Sequence, residues 1–186
     1  MSAGVTPSRR MVPVWDVPVR VLHWSLVLTV AAAWLTRNSP GRWHEWLGYA
    51  TLAIVAARTS WGFIASGYAR FADFVRPASV TVAYARDVFS GREARSLGHN
   101  PLGGWMTVAL LALVALVGVS GWLYTTDRFW GVPWVEALHS TLSDILFVFV
   151  GLHIAGVVFT SVRHRENLPA SMLHGRKREE DTGTGA

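Results

Sequence analysis

From Pro101 to Thr126 the chain carries no charged side chain. A run of that length exceeds the roughly 20 apolar residues a helix needs to cross a bilayer. Three other segments approach or reach the same length, giving expected spans at about 18–36, 44–64, 103–125 and 137–162. Composition agrees: 51% of residues are hydrophobic and 16% are charged, where a soluble domain carries about a quarter charged residues. The expected fold class is therefore all-α, an integral membrane four-helix bundle over residues 17–165. A polar arm, 1–16, precedes it. A basic tail, 166–186, follows, and its end from about residue 175 reads as disordered. The first span does not read as a cleaved signal, because no small-residue cleavage site leads into a soluble domain and three more spans follow.

The net charge of +5 is a matter of topology. With four spans, the N-terminal arm, the 65–100 loop and the tail share one side and hold 13 of the basic residues, from Arg9 and Arg10 to Lys177 and Arg178. The two short loops opposite hold three, Arg37, Arg42 and Arg128. The positive-inside rule then places both termini of a multi-pass membrane protein in the cytoplasm. Nucleic acid is not an expected partner; membrane lipid is. Most of the ten tryptophans fall near span ends, where indoles prefer the interface. Within the long loop, Val80, Tyr84 and Val88 recur at helical spacing beside Arg76, Arg86 and Asp87, as expected of a short amphipathic helix on the inner surface. Asn100-Pro101 reads as the N-cap and first position of the third span.

Cysteine is absent, which excludes disulfides, thiolate zinc sites, cysteine-ligated clusters and covalent haem attachment. Histidine is what remains for a metal. His139 and His153 lie fourteen residues apart in the last span, so they project from nearly one face about 21 Å apart along the axis. Ionisable groups inside membrane helices are costly and are functional-site candidates by default. The inferred topology puts His23 in the inner half of the bilayer with His153, and His44 at the outer side with His139. Two pairs at two depths point to two metal centres. Imidazole suits iron, zinc, copper and nickel alike, but two ligands are too few for structural zinc, which takes four. A haem brings four equatorial nitrogens and leaves two axial places, so the ligand count favours two b-type haems bound non-covalently by four histidines.

Arg58 lies fourteen residues after His44, on the same face and near the inner level. With Arg20 it is a candidate partner for haem carboxylates, which a guanidinium binds bidentately. Gly118, Ser120 and Gly121 leave room for close approach by a helix or a flat cofactor. Asp144 is open to several roles. His99, His164 and His174 fall in cytoplasmic polar segments, the last two as expected surface residues.

Four stretches carry a resemblance: Val19-Arg20-Val21-Leu22-His23-Trp24, His44-Glu45-Trp46-Leu47-Gly48, Gly98-His99-Asn100-Pro101-Leu102-Gly103, and the His139/His153 helix closing in Arg163-His164-Arg165-Glu166-Asn167. Over residues 14–175 they resemble the bacterial cytochrome b561 family, which includes the cytochrome b subunits of nickel–iron hydrogenases. The resemblance implies a four-helix bundle whose two b haems pass electrons across the membrane. It implies His44 and His139 on the outer haem, and His23 and His153 on the inner one. Family partners include quinone, c-type cytochromes, and dehydrogenase or hydrogenase subunits; some members oxidise superoxide with quinone as acceptor. The competing expectations are such a self-sufficient quinone oxidoreductase, with Arg37, Arg42 and Trp43 attracting the anion, and a haem-free anchor or small transporter whose histidines are structural.

Overall fold

The computed structural model describes residues 10–179. Residues 1–9 and 180–186, which include Arg9 and the ends of the expected arm and tail, lie outside the described residues. Seven helices and one two-stranded ribbon occur among the described residues.

Four of the helices are long. α1 (Val17–Leu35) starts where the Asp16 carboxylate accepts the Val19 N–H at 2.7 Å, with Pro18 in the first turn. α2 (Trp43–Ile64) follows a tight turn through Gly41. The short α3 (Phe71–Phe74) and the twelve-residue α4 (Ala78–Phe89) fill the long loop. α5 (Pro101–Tyr124) is capped by Asn100, whose Oδ1 accepts the Gly103 N–H at 2.7 Å. α6 (Pro133–Arg163) is the longest at 31 residues, about 46 Å at the usual helical rise. Three of these, α1, α5 and α6, are long and apolar enough to cross a membrane. α2 is as long but more polar, carrying His44, Glu45 and Arg58.

The helices pack in chain order, α1 on α2, α2 on α5 and α5 on α6. Gly118 lets α2 approach α5: a Cβ there would stand 2.6 Å from Leu52 Cγ. Among the described residues α1 and α6 have little close backbone contact and meet through side chains, with the Trp34 and Phe147 rings 4.8 Å apart. The core is a mid-depth apolar layer of Val55, Val114 and Leu146, joined by Leu26 and Val30 from α1 and Val150 from α6. Leu146 lies seven residues from both His139 and His153, so the layer divides the histidine levels. The outward faces are apolar, with Leu28, Leu116, Val148 and Val158 all exposed. Such a surface suits hydrocarbon and is too extensive for water.

The chain ends depart from expectation. β1 (Met11–Pro13) pairs antiparallel with β2 (Arg176–Arg178), so part of the supposed arm and part of the supposed disordered tail are clasped together. α7 (Leu168–His174) leads into the clasp, and Gly175, at φ +82°, makes the left-handed turn that ends it. The Gly175 carbonyl accepts the N–H groups of Val14 and Trp15. Lys177 is buried, its ammonium 3.8 Å from Glu166 and 5.7 Å from the Trp15 ring centre, while Arg95 bonds Glu166 at 2.9 Å. The basic tripeptide is thus ordered by a buried carboxylate and an indole supplied by distant segments.

Candidate metal centres

The outer pair is brought together. His44, in the first turn of α2, and His139, in the second turn of α6, have ring centres 6.0 Å apart and planes at 82°. His44 Nδ1 lies 2.8 Å from the Ala33 carbonyl oxygen. His139 Nδ1 lies 3.0 Å from the Val117 carbonyl and 3.2 Å from Ser120 Oγ. A carbonyl only accepts, so in both residues Nδ1 carries the hydrogen and Nε2 keeps its lone pair. This is the outer-shell arrangement that orients a metal-ligating histidine. Two imidazole–metal bonds of about 2 Å, with each ring centre about 1 Å behind its nitrogen, span about 6 Å, which matches the spacing observed. The small residues of α5 explain how the ring fits. A Cβ on Gly121 would stand 2.9 Å from His139 Cε1.

At the inner level, His23 on α1 lies within electrostatic reach of His153 on α6 and of Arg58 on α2. The two imidazoles and the guanidinium are thus neighbours in the folded chain. One turn beyond His44 and His153, respectively, Gly48 and Gly156 face open space where a Cβ would stand. No group of three or more histidines, cysteines or carboxylates able to hold a metal occurs among the described residues. The donor set is a pair of imidazoles at each level, which fits a group that brings its own equatorial ligands.

The inner level also collects buried polar atoms without partners. Arg58 is 4% exposed, its Nη1 makes no hydrogen bond, and its guanidinium lies 5.6 Å from the Phe71 ring centre. Arg20 donates through Nη1 to the Leu173 carbonyl, yet its buried Nε has no partner. Buried donors are nearly always satisfied in folded proteins. Unpaired guanidinium nitrogens on this side fit an anionic ligand that needs both helices.

His99 was not singled out by its sequence position among polar residues. Its ring is wedged between Trp15, 4.8 Å away, and Phe74, 4.5 Å away, and its enclosed Nδ1 has no partner. Burial pushes this imidazole down to about 3, and the charges of Arg58, Lys177, His153 and His23 act in the same direction. The signal was present in the Gly98-His99-Asn100-Pro101 stretch: the Asn100 cap fixes the backbone immediately after His99. His164 lines a small cavity with Tyr84, Arg95 and Glu166, and the exposed His174 accepts the Arg176 N–H through Nδ1.

At the His44 end of the bundle, Arg42 is paired with Glu45, and Arg37 stacks 3.7 Å over Trp34. Asp144 is exposed on α6, about 140° around that helix from His139 at 100° per residue.

No curated protein and no solved structure gives a significant match to the chain. The model that describes the prokaryotic cytochrome b561 family matches residues 14–175, which takes in all four long helices and both histidine levels. The chain belongs to the prokaryotic cytochrome b561 family.

Proposed function

We propose that this chain is a four-span di-haem cytochrome b that carries electrons across the bacterial inner membrane, with both termini cytoplasmic. The observation that carries the reading is the outer pair: two imidazoles 6.0 Å apart, each with Nδ1 on a backbone carbonyl and Nε2 free. That arrangement would let both imidazoles hold one iron between them. In this reading His44 and His139 hold the outer haem, and His23 and His153 hold the inner one. α2 serves as the fourth span; its polar residues sit at its outer end and at the inner level, where ligand and counter-ion are needed.

Haem supplies a reversible one-electron couple at each level. The protein's part is positional and electrostatic. His44 with His139 and His23 with His153 would each hold one haem through two imidazoles, and the chemistry so supplied would be outer-sphere electron transfer with no substrate bound at iron. The Val55–Val114–Leu146 layer keeps water out of the gap between levels. Ala33 and Val117 carbonyls fix the outer imidazoles and raise their basicity. Arg58 and Arg20 neutralise carboxylate charge at the inner level, which tunes its potential through burial and charge. Moving one electron fully across works with or against the membrane potential by about 2.3 kcal/mol per 100 mV, so the partners set the direction. The partner class consistent with the family is quinone on one side and a c-type cytochrome, dehydrogenase or hydrogenase subunit on the other.

The test is a set of four single His→Ala variants read by low-temperature visible and EPR spectra. His44→Ala and His139→Ala are expected to remove one and the same low-spin component, and His23→Ala and His153→Ala the other. Crossed losses, or His153→Ala with both components intact, would overturn the pairing.

A further inference from the structure

Arg58, Phe71, Phe74 and His99 form a continuous wall at the inner end of the bundle. The Arg58 guanidinium lies over Phe71, the Phe71 and Phe74 rings are 5.5 Å apart, and Phe74 lies 4.5 Å from His99. The wall is tightly built. A Cβ on Gly62 would collide with the Phe71 ring, and one on Gly104 would stand 2.6 Å from the Phe74 carbonyl oxygen. On its other side His99 meets Trp15, whose indole N–H bonds Ser171 Oγ at 3.3 Å. Asn100 fixes the following backbone by capping α5, and Gly98 packs against the Tyr68 ring. The imidazole is therefore held by its faces and by its backbone, and by no hydrogen bond through Nδ1.

A neutral, enclosed imidazole with an idle Nδ1 costs stability unless a ligand uses it, because an unmade buried hydrogen bond forfeits the group's solvation. The same holds for Arg58 Nη1 and Arg20 Nε, which are enclosed and unpartnered at this level. Two guanidinium N–H groups and an imidazole nitrogen that carries hydrogen in one neutral tautomer describe a receptor for a carboxylate. We propose that His99 completes a carboxylate site at the inner haem, donating Nδ1–H to the propionate that Arg58 neutralises. His99 is thus a positioning residue: it does not ligate iron, and it acts on the haem through its carboxylate. The inference rests on the di-haem reading above and adds to it a residue outside the spans.

The sign of the effect follows from charge. A carboxylate relieved by a hydrogen bond exerts a weaker negative field on the iron. Removing the donor strengthens that field and favours the ferric state. The test compares His99→Phe, which keeps an aromatic wedge between Trp15 and Phe74 but has no donor, with His99→Gln, which keeps an N–H donor. Purified full-length protein is titrated at pH 8, where the carboxylate stays ionised, and haem content is measured alongside. His99→Phe is expected to lower the midpoint potential of the inner haem, or to lose that haem, with the outer potential unmoved; His99→Gln is expected to stay near wild type. An unmoved inner potential in a fully loaded His99→Phe protein, or equal effects of the two substitutions, would overturn the proposal and leave the di-haem reading standing. A wild-type protein with no inner haem would overturn both.

Discussion

Substituting Gly121 with alanine places one methyl group against the outer imidazole, and the structure supplies each part of the expected outcome. The new carbon would stand 2.9 Å from His139 Cε1 and 3.2 Å from Nδ1, against a favourable carbon contact of about 3.5–4.0 Å. The ring must therefore move by about half an ångström or more, and it is not free to do so. Its Nδ1 is bonded to the Val117 carbonyl at 3.0 Å, a bond worth about 1 kcal/mol net. Overpacking of this kind costs about 1–3 kcal/mol. The gain from replacing glycine by alanine in a helix interior returns about 0.8–1 kcal/mol. The net cost to folding is then about zero to 2 kcal/mol, and the protein still assembles. The outer haem is expected to suffer more, because its axial nitrogen is displaced in a site that tolerates little error. The assay is haem content per chain together with the low-temperature difference spectrum. Gly151→Ala is the control, since nothing lies within 4 Å of its Cβ position. G121A is expected to weaken or lose the outer component while the inner one persists and G151A stays unchanged. A G121A protein with both components intact and an unmoved outer potential would show that the His139 ring does not hold the outer haem against Gly121.

Three further outcomes follow from the same geometry. Leu146→Ala opens the apolar layer between the two levels and is expected to cost about 2–5 kcal/mol, read by thermal unfolding in detergent; a loss below about 1 kcal/mol would show that the layer is not the core. Arg58→Met removes a buried cation whose Nη1 lacks a hydrogen-bond partner, so it is expected to stabilise the haem-free chain while loosening inner haem, seen as opposite shifts of apo and holo unfolding temperatures. Burial, with Arg95 adding, holds the Lys177 ammonium below its ordinary 10.5 despite the opposing pull of Glu166. Between that depressed value and 10.5 the unfolded chain binds more protons, so the stability of the terminal clasp rises with pH across this alkaline window. Proteolytic release of the C-terminal segment should slow accordingly, and Lys177→Met should abolish the trend.

The four long helices were legible because their signals are local: uncharged runs, Asp16 and Asn100 caps, and prolines at first turns. The pairing of His44 with His139 was legible too, because depth in a bilayer is readable from helix register and charge asymmetry. What the residues could not disclose depended on distant partners. Arg176-Lys177-Arg178 has no strand pattern of its own, and its order comes from Met11–Pro13, Glu166 and Trp15. His99 reads as one polar loop residue among others until Trp15 and Phe74 close on it. The role of Gly121 was half legible: the small residues of the third span announced a close approach, but only the structure divides them, Gly118 receiving Leu52 and Gly121 receiving the His139 ring.

The most direct test of two stacked centres is the number of haems. A pyridine haemochrome assay on purified, quantified protein, paired with a reduced-minus-oxidised spectrum, counts them without assuming any partner. Two b-type haems per chain, in two low-spin populations, are expected. One haem, or none in protein expressed with ample haem, would contradict that count and return at least one histidine pair to structural duty.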